Sequence, residues 1–258
     1  MASLERKVAL VTGSVSGIGR GIVEHFAALG ARVVVHGPEE GPARNVAAAL
    51  RDAGHDAASV AGDLAVVDAC RAAVRFTVDT YGRIDVLVNN AATTARASLL
   101  EASVELWDTV MAVNVRAPFL CLQEAAAWMK RTGGGSIVNI GSINAYVGLP
   151  NLGPYSVSKG ALMTMTRNAA LALGEDRIRV NQINVGWTLT ENEDRVQQTE
   201  GRGADWLAEA VKTRAFGRLL LPKDIAHAAA YFATEDSALV TGAVLDLEQF
   251  PMGALPRW

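Results

Sequence analysis

Short apolar segments alternate with longer helical stretches along the whole chain, and this alternation limits the fold more than any other feature. The apolar runs fall at 8–12, 32–36, 57–61, 86–89, 136–140, 179–183 and 243–247. Helical spacing of apolar residues appears near 18–29, 42–53, 67–81, 104–130, 155–173 and 223–233. Strands that are apolar on both faces, each followed by a helix, pair in parallel and are covered on both sides. The expected fold class is α/β: a doubly wound parallel sheet with helices on both faces, formed by residues 1–258 as one domain. Ligands of such sheets bind beyond the carboxyl ends of the strands. Asn89, Ser142 and Asn184 are expected there. The segment 187–216 fits the alternation least well. It is polar, carries a short helix around 206–211, and is expected to be a substrate lid.

The first strand runs into Thr12, Gly13, Ser14, Val15, Ser16, Gly17, Ile18 and Gly19, and a helix follows. Glycine permits a tight turn and close backbone approach. The helix N-terminus offers free N–H groups and a positive dipole end. A strand, a glycine loop and a helix in this order suit the pyrophosphate of a dinucleotide, although the spacing is Gly-x-x-x-Gly-x-Gly.

Tyr155 and Lys159 lie four residues apart in a helical stretch, and so share one face. A free phenol, with a pKa near ~10, is a poor base at neutral pH. A neighbouring ammonium favours the phenolate and is expected to lower that pKa. Such a phenol can exchange a proton with an alcohol or a carbonyl.

With both motifs in place, the chain resembles the short-chain dehydrogenase/reductase family over nearly its whole length. Thr12, Gly13, Gly17, Ile18 and Gly19 look like the family's cofactor loop. Asp63 and Leu64 look like its adenine-contacting pair, and Asn89, Asn90, Ala91 and Ala92 match its Asn-Asn-Ala-Gly segment apart from Ala92. Asn114, Ser142, Tyr155 and Lys159 follow in the family's order. Residues 184–190 match its Asn-Pro-Gly-x-x-x-Thr segment, with Val185 in place of proline. The resemblance implies a Rossmann-like fold and reversible hydride transfer between a nicotinamide and an alcohol/carbonyl pair. Tyr155 is then the proton-transfer group, and Ser142 binds the substrate oxygen. Lys159 tunes Tyr155 and holds the nicotinamide ribose. Asn114 anchors a water that links Lys159 to solvent, while Thr188 and Thr190 fix the carboxamide. The cofactor set is Gly13, Ser16, Gly17, Ile18, Gly19, His36, Asp63, Leu64, Asn90, Ala91, Tyr155, Lys159, Thr188 and Thr190.

In the family, an acid at the position of Gly37 selects NAD, and a base at Ser16, Gly37 or Pro38 selects NADP. Neither is present, and Glu39 and Glu40 disfavour a 2′-phosphate. NAD is the expected cofactor, with NADP as the alternative and His36 as a weak substitute base. Asn144, Trp187, Glu191, Asn192 and Glu193 are candidate substrate residues near the mouth of the site. Hydrogen-bonding groups beside one aromatic suit a sugar or polyol. A non-catalytic nucleotide-sensing protein on the same fold is the other reading, but it has no need of Asn114, Ser142, Tyr155 and Lys159 together.

A net charge of −3 with scattered lysine and arginine gives no footprint for nucleic acid. No run reaches the ~20 apolar residues of a membrane span. Residues 1–7 lack the apolar core of a signal peptide. A cytoplasmic protein with a small-molecule partner is therefore expected, with neither nucleic acid nor membrane as partner. Cys70 and Cys121 are expected as reduced packing thiols. The apolar faces of 104–130 and 155–173 exceed what one sheet can cover and point to a homotetramer. The apolar tail 250–258 is expected to pack against protein.

Overall fold

The computed structural model describes residues 3–146 and 148–251. Seven strands form one parallel sheet in the order β3-β2-β1-β4-β5-β6-β7. They are β1 (Val8–Val11), β2 (Arg32–Gly37), β3 (Ala57–Ala61), β4 (Val86–Asn89), β5 (Gly135–Ser142), β6 (Ile178–Val185) and β7 (Val244–Leu247). The helices are α1 (Gly17–Ala28), α2 (Glu40–Asp52), α3 (Val67–Tyr81), α4 (Val104–Met111), α5 (Ala117–Thr132), α6 (Gly153–Leu173), α7 (Glu191–Thr199), α8 (Trp206–Lys212) and α9 (Pro222–Ala233).

Side chains alternate across each strand, which sorts the core into two layers. Ala9, Val11, Val33 and Val35 pack with α1, α2 and α9. Leu10, Val34, Leu87 and Ile137 pack with α3, α5 and α6. Leu10, Val34 and Leu87 are fully buried. Each such side chain contributes about 1.5–3 kcal/mol of transfer free energy. This two-sided burial explains why the strands read as continuous apolar runs rather than as alternating ones.

The structure corrects several boundaries. Strands β5 and β6 run further than their apolar stretches, to Ser142 and Val185. Asn184 therefore lies inside β6 and is fully buried, rather than beyond the strand end. Val185 pairs with Ser142 on one side and Leu247 on the other. The stretch 104–130 is not one α-helix: a π-helical turn over Ala112–Arg116 separates α4 from α5. Pro118 opens α5, where a missing N–H costs least. The segment 187–216 holds an additional helix, α7, besides the expected one. Thr190 and Glu193 have capping-box spacing, a helix signal available in the sequence, and the Thr190 hydroxyl accepts from the Glu193 N–H at 3.1 Å.

Candidate active site

The glycine loop sits at the carboxyl end of β1. Gly13 turns the chain at φ 61°, a conformation that side chains disfavour. Its N–H donates to His36 Nδ1 at 3.2 Å. The Thr12 hydroxyl accepts from the N–H groups of Asn90 and Ala91 at 3.0 and 3.1 Å. The Asn90 side-chain amide donates to the carbonyls of Thr12 and Gly13, both at 2.9 Å. Asn90 thus braces the loop. The first turn of α1 has no acidic residue, and the Ser16 side chain does not cap it. Its leading amides, from Gly17, Ile18 and Gly19, are therefore open to an anion, which fits a dinucleotide's pyrophosphate. A Cβ placed on Gly17 would lie 3.4 Å from the Thr190 methyl, so Thr190 faces this loop from the far side.

His36 is not the substitute base that its sequence position suggested. It is buried, its Nδ1 accepts from Gly13, and burial lowers its pKa to about 4. A neutral imidazole locked in this way offers no charge to a phosphate. At Gly37, a Cβ would lie 2.5 Å from a Val15 methyl, so Val15 fills the space where a ribose-binding acid would start. Asp63 is exposed; one of its oxygens accepts from the Ala65 N–H at 2.9 Å, while Leu64 turns into the core.

Ser142, Tyr155 and Lys159 meet where β5 ends against α6. The Ser142 hydroxyl oxygen accepts from the Asn144 backbone and side-chain N–H groups at 3.2 and 3.3 Å. This leaves its own proton free to be donated. The Lys159 ammonium is buried and donates to the Ile140 carbonyl at 2.8 Å. Burial lowers its pKa to about 8. Burial raises the Tyr155 phenol above its ordinary value, a hydrogen bond with Ser142 acts in the opposite direction, and the Glu193 carboxylate raises it further. The expected lowering by Lys159 is thus not what this geometry gives. The ammonium lies 5.6 Å from the ring centroid and is turned to the Ile140 carbonyl.

Asn114 sits in the π-helical turn, 1% exposed. Its side-chain oxygen accepts from the Thr93 N–H at 2.8 Å, and its amide donates to the Thr93 carbonyl at 2.9 Å and the Ser158 hydroxyl at 3.0 Å. Its side chain is therefore committed to protein groups on two neighbouring segments.

On the opposite side of the site, Thr188 is buried and its hydroxyl donates to the Gly186 carbonyl at 3.0 Å. Trp187, expected at the mouth, is half-buried and packs against a small core of Trp206, Ala210 and Leu219. Its indole N–H donates to Glu193 at 2.7 Å. Arg96, in the segment after β4, pairs with Glu200 at 2.9 Å and links that segment to the end of α7.

Sequence reading missed a row of buried polar side chains beneath α6. Asn89 donates to Asn139, Asn139 to Thr166, Thr166 to Gln182, Gln182 to Asn184 and Asn184 to Asp246. The signal was present as asparagine and glutamine inside strands that otherwise read as apolar. Burial without partners would be costly, and the row satisfies each member by the next. Among the described residues there is no cluster of three or more His, Cys, Asp or Glu able to hold a metal, and no helix long and apolar enough to cross a membrane.

Comparison with known proteins agrees with this geometry. A family model described as enoyl-(acyl carrier protein) reductase matches residues 13–248. A protein of Rhizobium meliloti designated a probable galactose dehydrogenase is 37% identical over 243 residues, covering 93% of this chain and 92% of its own. The cis-4-hydroxycyclohexanecarboxylate dehydrogenase of Sinomonas cyclohexanicum is 36% identical, covering 94% and 95%. A crystal structure from Beutenbergia cavernae, of a protein proposed to be an NAD(P)-dependent gluconate 5-dehydrogenase and holding NADP at low occupancy, superposes with a TM-score of 0.88. It is 32% identical and covers 96% of this chain and 97% of its own. The chain belongs to the short-chain dehydrogenase/reductase family and is an NAD(P)-dependent oxidoreductase of alcohol and carbonyl groups.

Proposed function

We propose that this oxidoreductase is a dehydrogenase of sugars or polyols in which Tyr155 moves the proton. The observation that carries the reading is the meeting of the Tyr155 phenol, the Ser142 hydroxyl and the Lys159 ammonium at the carboxyl end of β5. The nicotinamide, when bound, supplies the hydride acceptor or donor. The open amides of α1 hold its pyrophosphate, Asp63 and Leu64 its adenine side, Lys159 its ribose, and Thr188 and Thr190 its carboxamide. With substrate bound, the Ser142 hydroxyl donates to the substrate oxygen and steadies charge developing there. Tyr155 accepts the hydroxyl proton in oxidation and returns it in reduction. With a pKa of about 8, Lys159 keeps its proton at pH 7 and presents a fixed positive charge.

NAD is the preferred cofactor in this reading. His36 is neutral, and Ser16, Gly37 and Pro38 offer no base. The segment 187–216 acts as the substrate lid, supported by its small separate core and by the Arg96–Glu200 pair. The chain assembles as a homotetramer through α4, α5 and α6. Most apolar residues of these helices are consumed by the chain's own core, including Val110, Leu120 and Leu162. Val104, Trp107, Phe119, Val157 and Leu171 remain exposed, and a groove of about 580 Å³ opens between Phe119 and Met165. The probable galactose dehydrogenase and the gluconate dehydrogenase candidate among the relatives support a sugar-derived substrate. A screen of hydride transfer with NAD and NADP against sugars, polyols, sugar acids and cyclic alcohols tests the reading. Turnover confined to apolar alcohols would overturn the substrate class.

A further inference from the structure

We infer that Asn144 is a positioning residue, which directs its main-chain and side-chain N–H groups at the Ser142 oxygen and so aims the Ser142 proton into the reaction site. The inference rests on the reading above, in which Tyr155 moves the proton and Ser142 holds the substrate oxygen. A serine hydroxyl has one proton and two lone pairs, and the proton turns to whatever acceptor is in reach. Here the oxygen accepts from the Asn144 main-chain N–H at 3.2 Å and from its side-chain N–H at 3.3 Å. Both lone pairs are occupied, so the hydroxyl enters any further bond as a donor. Its effect on Tyr155 has the sign this requires: a hydroxyl that donates to a phenolate favours the charged form, and Ser142 lowers the phenol. The same proton serves Tyr155 in the free enzyme and the substrate oxygen once substrate is bound. Asn144, expected from the sequence to touch the substrate, acts through Ser142 instead.

The turn that carries Asn144 is held from three sides. Ser142 ends β5 and caps a 3-10 turn over Ile143–Ala145. The Ala145 carbonyl lies 3.4 Å from where a Cβ on Gly160 would stand, so the turn packs closely on α6 one residue beyond Lys159. The Tyr146 hydroxyl donates to Asp246, 3.1 and 3.3 Å from its two oxygens, and Asp246 also takes the Asn184 amide at 3.0 Å. The buried row that begins at Asn89 thus ends by fixing this turn. Ser142 is buried and Asn144 half-buried, which shields the bonds between them from water. The charged groups about the phenol are Lys159 on α6, with its ammonium 5.6 Å from the ring centroid, and Glu193 on α7. Neither bonds to Asn144, so a change at Asn144 reaches the phenol by way of Ser142.

A double-mutant cycle tests this. Asn144→Ala removes one of the two donors, and Asn144→Asp replaces it with an acceptor that draws the Ser142 proton away. Each is made alone and together with Ser142→Ala, and thermal unfolding checks that all are folded. The Tyr155 phenolate is titrated by ultraviolet difference absorbance against Tyr155→Phe, a readout that needs neither cofactor nor substrate. Hydride transfer is followed with NAD and either D-galactose or cyclohexanol. In Asn144→Ala the phenol should titrate about half a pH unit higher and kcat should fall about 3- to 10-fold, with KM held within about twofold. Asn144→Asp should go further in both. With Ser142→Ala in place, Asn144→Ala should change neither, and only the effect of the introduced charge should remain for Asn144→Asp. An Asn144→Ala effect that persists in full without Ser142, or one that raises KM and leaves the phenol unmoved, would make Asn144 a substrate contact or a packing residue and overturn the inference alone. Undiminished turnover and an unmoved phenol in Ser142→Ala would overturn the Ser142 reading itself, and the inference with it.

Discussion

The Asn114 side-chain amide donates to the Ser158 hydroxyl at 3.0 Å and so ties the π-helical turn to the helix that carries Tyr155 and Lys159. The same side chain closes two bonds with Thr93, on the segment after β4. Three pieces of the active-site wall converge on one amide. Asn114→Leu would leave the Thr93 N–H and carbonyl without this partner and should cost roughly 2–4 kcal/mol in urea unfolding. Loosened placement of Tyr155 should lower kcat by about 10- to 100-fold. A variant with reduced stability but unchanged kcat would confine Asn114 to a structural role.

Tyr155→Phe should keep the fold and dinucleotide binding while lowering kcat by roughly 10²–10⁴. Retention of more than about a tenth of wild-type kcat would remove the phenol from the proton transfer. The phenol is raised in this structure, so the oxidation rate of the wild type should climb with pH through the neutral range. Lys159→Met should weaken dinucleotide affinity, measured by fluorescence titration, and leave that climb in place, because the ammonium is turned to the Ile140 carbonyl. Unchanged affinity would remove Lys159 from the cofactor site.

His36 gives a pH dependence of stability. Its folded pKa is about 4, against ~6.5 for a free imidazole, so the unfolded chain binds more protons between those values. The stability is complete above ~6.5 and is lost as pH falls towards 4, by up to ~3 kcal/mol. His25, lowered by burial and then by its neighbour His227, slopes the same way. His36→Asn retains an acceptor for the Gly13 N–H without titrating. Its unfolding free energy should therefore decline less steeply from pH 6.5 to 4.5 than that of the wild type. Parallel curves would show that His36 does not titrate on unfolding.

Fluorescence titration should give tighter binding of NAD than of NADP. Val15 covers the Gly37 position, His36 is neutral, and Glu39 and Glu40 lie at the start of α2. The related Beutenbergia structure holds NADP, so a preference for NADP in this chain would point to a phosphate partner outside these positions.

Sedimentation at micromolar concentration should give a tetramer. Phe119→Glu together with Val157→Glu places charges on the exposed apolar surface of α5 and α6, where the wild-type side chains are 47% and 50% exposed. The double variant should sediment as a smaller species. A wild-type monomer would overturn the assembly. Of the tail expected to pack, Phe250 lies beneath Arg214 at 5.2 Å, and residues 252–258 fall outside the described residues.

The sequence by itself determined the sheet, the glycine loop and the Tyr155–Lys159 pair. Each is local: two-sided burial writes an apolar run, a tight turn demands glycine, and a helix sets two side chains four residues apart on one face. Ser142 stood out because it follows a strand, whereas Asp63 and Thr190 entered only through the family resemblance. The partners of Asn114 were not legible, because its bonds go to Thr93 and Ser158, distant in the chain. The burial of His36 and its bond from Gly13 were equally hidden, since its sequence neighbours say only strand end. Trp187 read as a substrate residue because an aromatic near a site looks available, and its partial packing against Trp206 and Leu219 was not visible in the sequence. The direction of the Lys159 ammonium and the reach of Glu193 towards Tyr155 belong to the tertiary structure alone. Charge, burial and hydrogen-bond partners come from residues distant in the chain, and a one-dimensional pattern carries no record of which of them arrive at the same point.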